Sequence, residues 1–182
     1  IEFERMDITD EAAVAAVAAR TPRLQLLVNA AGIILDEGRE HSVAGFRQVV
    51  DVNLNGTQLA CVQFRAALAE GRGSIINFAS MWSYFGSGRN PGYSATKGAV
   101  VSLTRALAVA YAAEGIRVNA IAPGWIDTRM SAAAFSDPER ARPILKRLPA
   151  GHWGQPSDVA KAAAFLASNG DAGYITGGTP PV

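Results

Sequence analysis

Three short apolar runs punctuate the chain, and longer stretches with helical spacing separate them. The runs are Leu24-Gln25-Leu26-Leu27-Val28, Ser74-Ile75-Ile76-Asn77-Phe78 and Arg117-Val118-Asn119-Ala120-Ile121. Each is too short for a globular helix and has Gly or Pro nearby, so each reads as a buried strand. Thr9 or Asp10 caps an Ala-rich helix to about Ala19, which Thr21-Pro22 ends. Ser42 to about Ala69 reads as one long helix, kinked at Asn55-Gly56, with Val43, Phe46 and Val50 as its buried stripe. Asn53 falls on that stripe, where a polar side chain needs partners. A further helix runs from about Tyr93 to Ala113, with Gly115 as its C-cap, and another from Pro156 to about Ser168. Strand and helix in alternation, with apolar strands, predict an α/β fold: a doubly wound parallel sheet covered on both faces. The right-handed crossover rule fixes its winding.

Ile1 to Met6 shows a strand-like alternation with no initiator Met, and Tyr174 to Val182 ends without a closing element. This reads as a chain truncated at both ends. Arg129 to Gln155 is a long connection with short helices near Ser131–Phe135 and Pro138–Lys146. A segment of that kind suits a lid over a site.

Composition narrows the function classes. A net charge of +1 without a basic run or acidic tail gives no support to nucleic acid or an anionic membrane surface as partner. No apolar stretch reaches the length of a membrane span. The single Cys61 permits no internal disulfide and suits a reducing, cytoplasmic compartment. His41 and His152 lie far apart without ligand spacing, so no metal site is expected.

The chemistry concentrates around Ser80 and Tyr93-Ser94-Ala95-Thr96-Lys97. Tyr93 and Lys97 stand one helical turn apart on one face. Ser80 follows the second strand, at the sheet end where open α/β sheets bind ligands. An ammonium near a phenol favours the phenolate and lowers its pKa from about 10. Tyr93 then exchanges a proton with a carbonyl or alcohol oxygen, and Ser80 hydrogen-bonds the same oxygen. Small residues in Asn29-Ala30-Ala31-Gly32, after the first strand, let another body approach the backbone.

These residues, taken in order, resemble the short-chain dehydrogenase/reductase (SDR) family over essentially the whole chain. Asn29-Ala30-Ala31-Gly32 is similar to the family's N-N/A-A-G motif, and Asn53, Ser80, Tyr93 and Lys97 fall where it places its catalytic set. Pro123-Gly124 with Thr128 resembles the stretch that holds the nicotinamide carboxamide. Asp7 resembles the acidic residue near the adenine, and Gly154 to Ala160 the signature before the last helix. The resemblance implies a single Rossmann-like three-layer αβα domain over 1–182 that lacks its first βαβ unit. The family's T-G-x-x-x-G-I-G turn has no counterpart here, and no G-x-G-x-x-G occurs. A strand at Ile1–Met6 is then expected to have an exposed edge.

The same resemblance implies NAD or NADP as cofactor and a small alcohol or ketone as substrate. Tyr93 is the implied general acid/base and Lys97 the holder of the nicotinamide ribose. Ser80 orients the substrate oxygen, and Asn53 holds a relay water. Asn29, Ala30, Ala31, Gly32, Pro123, Gly124, Ile126, Thr128 and Asp7 line the cofactor cleft. Two other readings stay open: a 3-oxoacyl carrier-protein reductase, and a silent chain that acts only by association. The helices Ser42–Ala69 and Tyr93–Ala113 resemble the pair through which members form dimers and tetramers.

Overall fold

A computed structural model describes residues 3–182. In chain order its helices are α1 (Glu11–Ala19), α2 (Val43–Val50), α3 (Gly56–Gln63), α4 (Arg65–Gly71), α5 (Pro91–Tyr111), α6 (Ala132–Phe135), α7 (Pro138–Arg147), α8 (Pro156–Ala167) and α9 (Asn169–Ala172). The strands are β1 (Leu26–Asn29), β2 (Ser74–Phe78) and β3 (Arg117–Ile121). They form one parallel sheet in the order β1-β2-β3. Along the free side of β3 the chain's last residues run as a further extended segment. Ala120 donates to Gly178 O, Ala122 to Pro180 O and Gly124 to Val182 O.

Period-two alternation sends the strand side chains to two different covers. On one face Ile75 and Val118 pack with Val14, Ala60, Cys61, Phe64, Leu68, Ala108 and Tyr111 of the α1, α3, α4 and α5 region. On the other, Ile76 and Ile121 pack with Val159 and Leu166 of α8. The predicted doubly wound, three-layer arrangement is therefore present. The second cover does not reach β1, where Leu26 and Val28 remain 38% and 43% exposed. An unbroken apolar run promises burial on both faces, but it cannot say whether a helix lies over each.

The expected single helix at Ser42–Ala69 is four pieces. A π-helical turn, Asp51–Asn55, joins α2 to α3, and a break at Phe64 (φ −89°, ψ 1°) separates α3 from α4. The inward residues of α2 are Gly45 and Val49, and Asn53 in the wide turn follows them. Val43 and Phe46, expected in the core, are 69% and 39% exposed. Gly45 has to be small, since a Cβ there would lie 2.1 Å from the Arg39 carbonyl oxygen.

At the start of the chain, Ile1 and Glu2 lie outside the described residues. Phe3–Met6 form no strand, and Phe3 is 91% exposed. Alternation marks which side chains share a face, but a strand also needs a neighbouring backbone, and none of the described strands pairs with this segment. The segment after β3 matches expectation, with α6 and α7 at the two predicted helices and α8 opened by Pro156.

Candidate active site at the carboxyl end of the sheet

The start of α5 is built by its neighbours. Pro91 takes the first helical position, where its missing N–H costs nothing. The Asn90 amide turns away from the helix and donates to Leu35 O (3.0 Å) and Glu40 Oε1 (3.2 Å). The Glu40 carboxylate, 1% exposed, accepts the Tyr93 N–H at 2.8 Å and the Leu35 N–H at 2.9 Å. These bonds tie the first turn of α5 to the segment that follows β1.

Tyr93 and Lys97 share one face of α5, with the ammonium 5.4 Å from the phenol ring centroid. Lys97 is buried and donates to Phe78 O, at the end of β2, at 2.6 Å. Burial pushes its pKa down from 10.5 to about 8. Burial also pushes the Tyr93 phenol above its usual range, the nearby Ser80 hydroxyl pulls the other way, and the Glu40 charge adds to the rise. This corrects the expectation of a phenol lowered by Lys97, because in the protein alone desolvation outweighs the cation. Ser80 caps the short 3₁₀ turn Met81–Ser83 and accepts from Trp82 N at 3.2 Å.

Asn53 is 1% exposed and clamps Ile33 from both sides. Its Oδ1 accepts from Ile33 N at 2.7 Å, and its Nδ2 donates to Ile33 O at 2.9 Å. The clamp brings Gly32 over the site, where an added Cβ would stand 3.4 Å from Asn53 Oδ1 and 3.9 Å from Lys97 Nζ. Ser80, Tyr93, Lys97, Asn53 and Gly32 thus converge. Pro123 joins them through its carbonyl, which accepts from Met81 N at 3.0 Å.

The other sequence candidates sit further out or face elsewhere. The Asn29 amide points into the protein and donates to Asn77 Oδ1 (2.9 Å) and Cys61 Sγ (3.2 Å). Ala30 and Ala31 are exposed just after β1. Gly124 bonds Val182, Ile126 bridges to Gly154, and Thr128 bonds the Ser131 hydroxyl at 3.1 Å. Asp7 is exposed before α1, with its carboxylate held below its usual range by the N–H and hydroxyl of Thr9.

An aromatic wall stands beside Tyr93. Trp82 meets it edge-on at 5.6 Å, Trp125 meets Trp82 at 6.0 Å, and Phe135 and Trp153 extend the chain of rings. The sequence reading gave no role to Glu40, Asn90, Trp125 or Trp153. For Glu40 no sequence signal exists, because an acid among Asp36, Glu37 and Arg39 looks solvated.

A nicotinamide cofactor can be tested against these groups. Among the described residues Lys97, with three N–H donors, bonds one acceptor, Phe78 O, and the side-chain-free Gly32 lies close by, a Cβ there standing 3.9 Å from Lys97 Nζ. A buried ammonium with spare donors beside a glycine backbone fits a ribose hydroxyl pair. The nicotinamide half therefore fits the residues present.

Comparison with known proteins agrees. The family described as Enoyl-(Acyl carrier protein) reductase matches residues 2–182. A 2-dehydro-3-deoxy-D-gluconate 5-dehydrogenase from Bacillus subtilis is 43% identical over 160 residues, 85% of this chain and 61% of that protein. The chain thus spans less than two thirds of that relative's length. A short-chain type dehydrogenase/reductase from Mycobacterium ulcerans superposes with TM-score 0.94 at 30% identity, over 100% of this chain and 68% of the other. A gluconate 5-dehydrogenase from Burkholderia cenocepacia, solved with NADP and tartrate, gives TM-score 0.90 at 32% identity, over 97% and 71%.

Proposed function

The chain belongs to the short-chain dehydrogenase/reductase family, and from that premise we propose that the protein interconverts a secondary alcohol and a ketone with NAD or NADP. The observation that carries this reading is the Tyr93 side chain one turn from the buried Lys97, whose ammonium stands 5.4 Å from the phenol ring at the end of β2. The bound nicotinamide supplies or accepts the hydride at the carbinol carbon. Tyr93 gives the proton to the ketone oxygen, or takes it from the alcohol. A phenol held neutral by burial suits the donor role at neutral pH, and the acceptor role gains as pH rises. Ser80 orients the reacting oxygen, and Lys97 offers its spare donors to the ribose. Asn53 fixes Ile33 and so the backbone at Gly32. Asn29, Ala30, Ala31, Pro123, Gly124, Ile126 and Thr128 are assigned to the rest of the cleft, and Asp7 to its adenine end. Sugar-acid and alicyclic ketones are the first substrates to try, with a 3-oxoacyl thioester as the contrast.

Tyr93→Phe tests the assignment, because it removes the hydroxyl and little packing. In the full-length protein, ketone reduction should fall by about 10²–10⁴-fold while the thermal transition stays in place. Turnover near the parent rate would overturn it.

We also propose a homo-oligomer, dimer or tetramer, and a cytoplasmic location suited to the lone buried thiol of Cys61. Val43, Val62 and Val109 on α2, α3 and α5 are 69%, 46% and 82% exposed, apolar side chains of the kind that a second copy would cover. Sedimentation should show a species heavier than the monomer at micromolar concentration, and Val109→Glu should shift it toward monomer.

A further inference from the structure

We infer that Glu40 is a positioning residue for Tyr93: its buried carboxylate anchors the first turn of α5 and sets where the phenol stands. The inference rests on the reading of Tyr93 as proton donor. Its observations are separate from that reading.

Glu40 precedes α2 within a short 3₁₀ turn, Arg39–His41, where a charged side chain ordinarily faces water. Instead it is 1% exposed. All three of its partners are donors. Oε1 accepts from Leu35 N at 2.9 Å and Asn90 Nδ2 at 3.2 Å, and Oε2 accepts from Tyr93 N at 2.8 Å. An acceptor-only group fits this set, and an amide does not, since its NH₂ would face an N–H on one side or the other.

The bond to Tyr93 is also the one that stands in for a helix cap. First-turn N–H groups have no partner within the helix, and Asn90, at the cap position, gives α5 no side-chain bond. A carboxylate there meets the positive end of a 21-residue helix. A Cβ on Gly92 would stand 3.2 Å from Oε2, so the small residue before Tyr93 leaves room for the carboxylate. Through Leu35 the same carboxylate holds the segment that Asn53 clamps at Ile33. Tyr93 and Gly32 are thereby referred to one buried anchor.

The charges around Tyr93 are few. Glu40 adds to the rise in the phenol's pKa, and Lys97 lies one turn on. On the other elements packed against α5, Arg39, His41, Arg47 and Asp51 are exposed, as are Arg89 and Arg105 before and along α5. Arg117 of β3 is turned toward the end of α8.

The test uses the chain as it stands and needs no turnover. In the wild type, the Tyr93 amide should be protected from hydrogen exchange despite its place in the first turn. In Glu40→Gln its exchange should speed up by about tenfold, the order expected for losing a charge-assisted bond. Ultraviolet titration of tyrosinate, with Tyr93→Phe subtracted to isolate the Tyr93 step, should show the phenol ionising at lower pH in Glu40→Gln. Glu40→Asp keeps the charge but cannot reach the amide. It should speed exchange while moving the titration less, and it stands in should the Gln variant fail to fold. An unprotected Tyr93 amide in the wild type would overturn the inference, as would a folded Glu40→Gln variant with unchanged exchange or an unchanged titration. An inactive chain would count against the proton-donor reading and leave these measurements intact.

Discussion

Lys97 is a cation kept where cations are disfavoured: it is 5% exposed and bonded to one carbonyl. Its pKa falls from 10.5 to about 8, so between those values the unfolded chain binds more protons than the folded one. Stability contributed by this group therefore rises with pH across that window and is lowest below about 8. Lys97→Met should stabilise the fold at pH 7, by an amount on the order of 2–3 kcal/mol, and the difference from wild type should shrink toward pH 10.5. Urea midpoints at several pH values measure it, and a difference that does not change with pH would contradict the account. Ser80, Tyr93 and Lys97 were legible in the sequence because a strand end and a four-residue helical spacing suffice to bring them together. Glu40 was not legible, since the partners that bury it are backbone N–H groups that only the folded chain assembles. The direction of the Tyr93 shift was misjudged for a related reason: a neighbouring charge can be read from spacing, whereas desolvation cannot.

Among the elements, α8 shows how an end is closed from a distance. Its last carbonyls, Leu166 O and Ala167 O, accept from the Arg117 guanidinium at 2.8 and 3.1 Å, and the same group reaches Asn169 Oδ1 and Ile175 O. A cation at a helix C-terminus is favoured by both the dipole and the orphan carbonyls. Arg117→Met keeps the stem and strands those oxygens. It should cost about 2–4 kcal/mol by denaturant unfolding, with hydrogen exchange fastest in α9 and the segment after it. Little protection lost in that region would contradict the role. The sequence located α5, α7 and α8 well because proline starts and glycine stops are local signals. On the 42–69 helix it placed an irregularity at Asn55-Gly56, where the π turn meets α3, but missed the turn itself and the break at Phe64, because a π turn depends on contacts such as Asn53 with Ile33 that local propensity does not carry.

At the scale of the molecule, the three strand positions and their parallel order were readable from apolar runs, while the bare outer face of β1 was not. Polar side chains cross this sheet in one line. Asn29 of β1 donates to Asn77 of β2, its register partner, and Asn77 donates to Thr104 of α5 at 3.0 Å. All three are buried. Asn77→Leu should cost about 1–3 kcal/mol, because it leaves one amide and one hydroxyl unpaired. The triple replacement Asn29→Leu, Asn77→Leu, Thr104→Val removes the whole line and should cost much less than the sum of the three single losses in urea unfolding. The line does more than its net energy suggests. If β1 slid by one residue along β2, Asn29 would stand opposite Ile76 or Phe78 and turn to the other face of the sheet, and its bond to Asn77 would be lost. An all-apolar sheet would tolerate that error; this one penalises it. The triple variant should therefore keep its stability and lose its uniqueness, with broadened or doubled amide resonances along β1 as the sign that the chain has forgotten which alignment is correct.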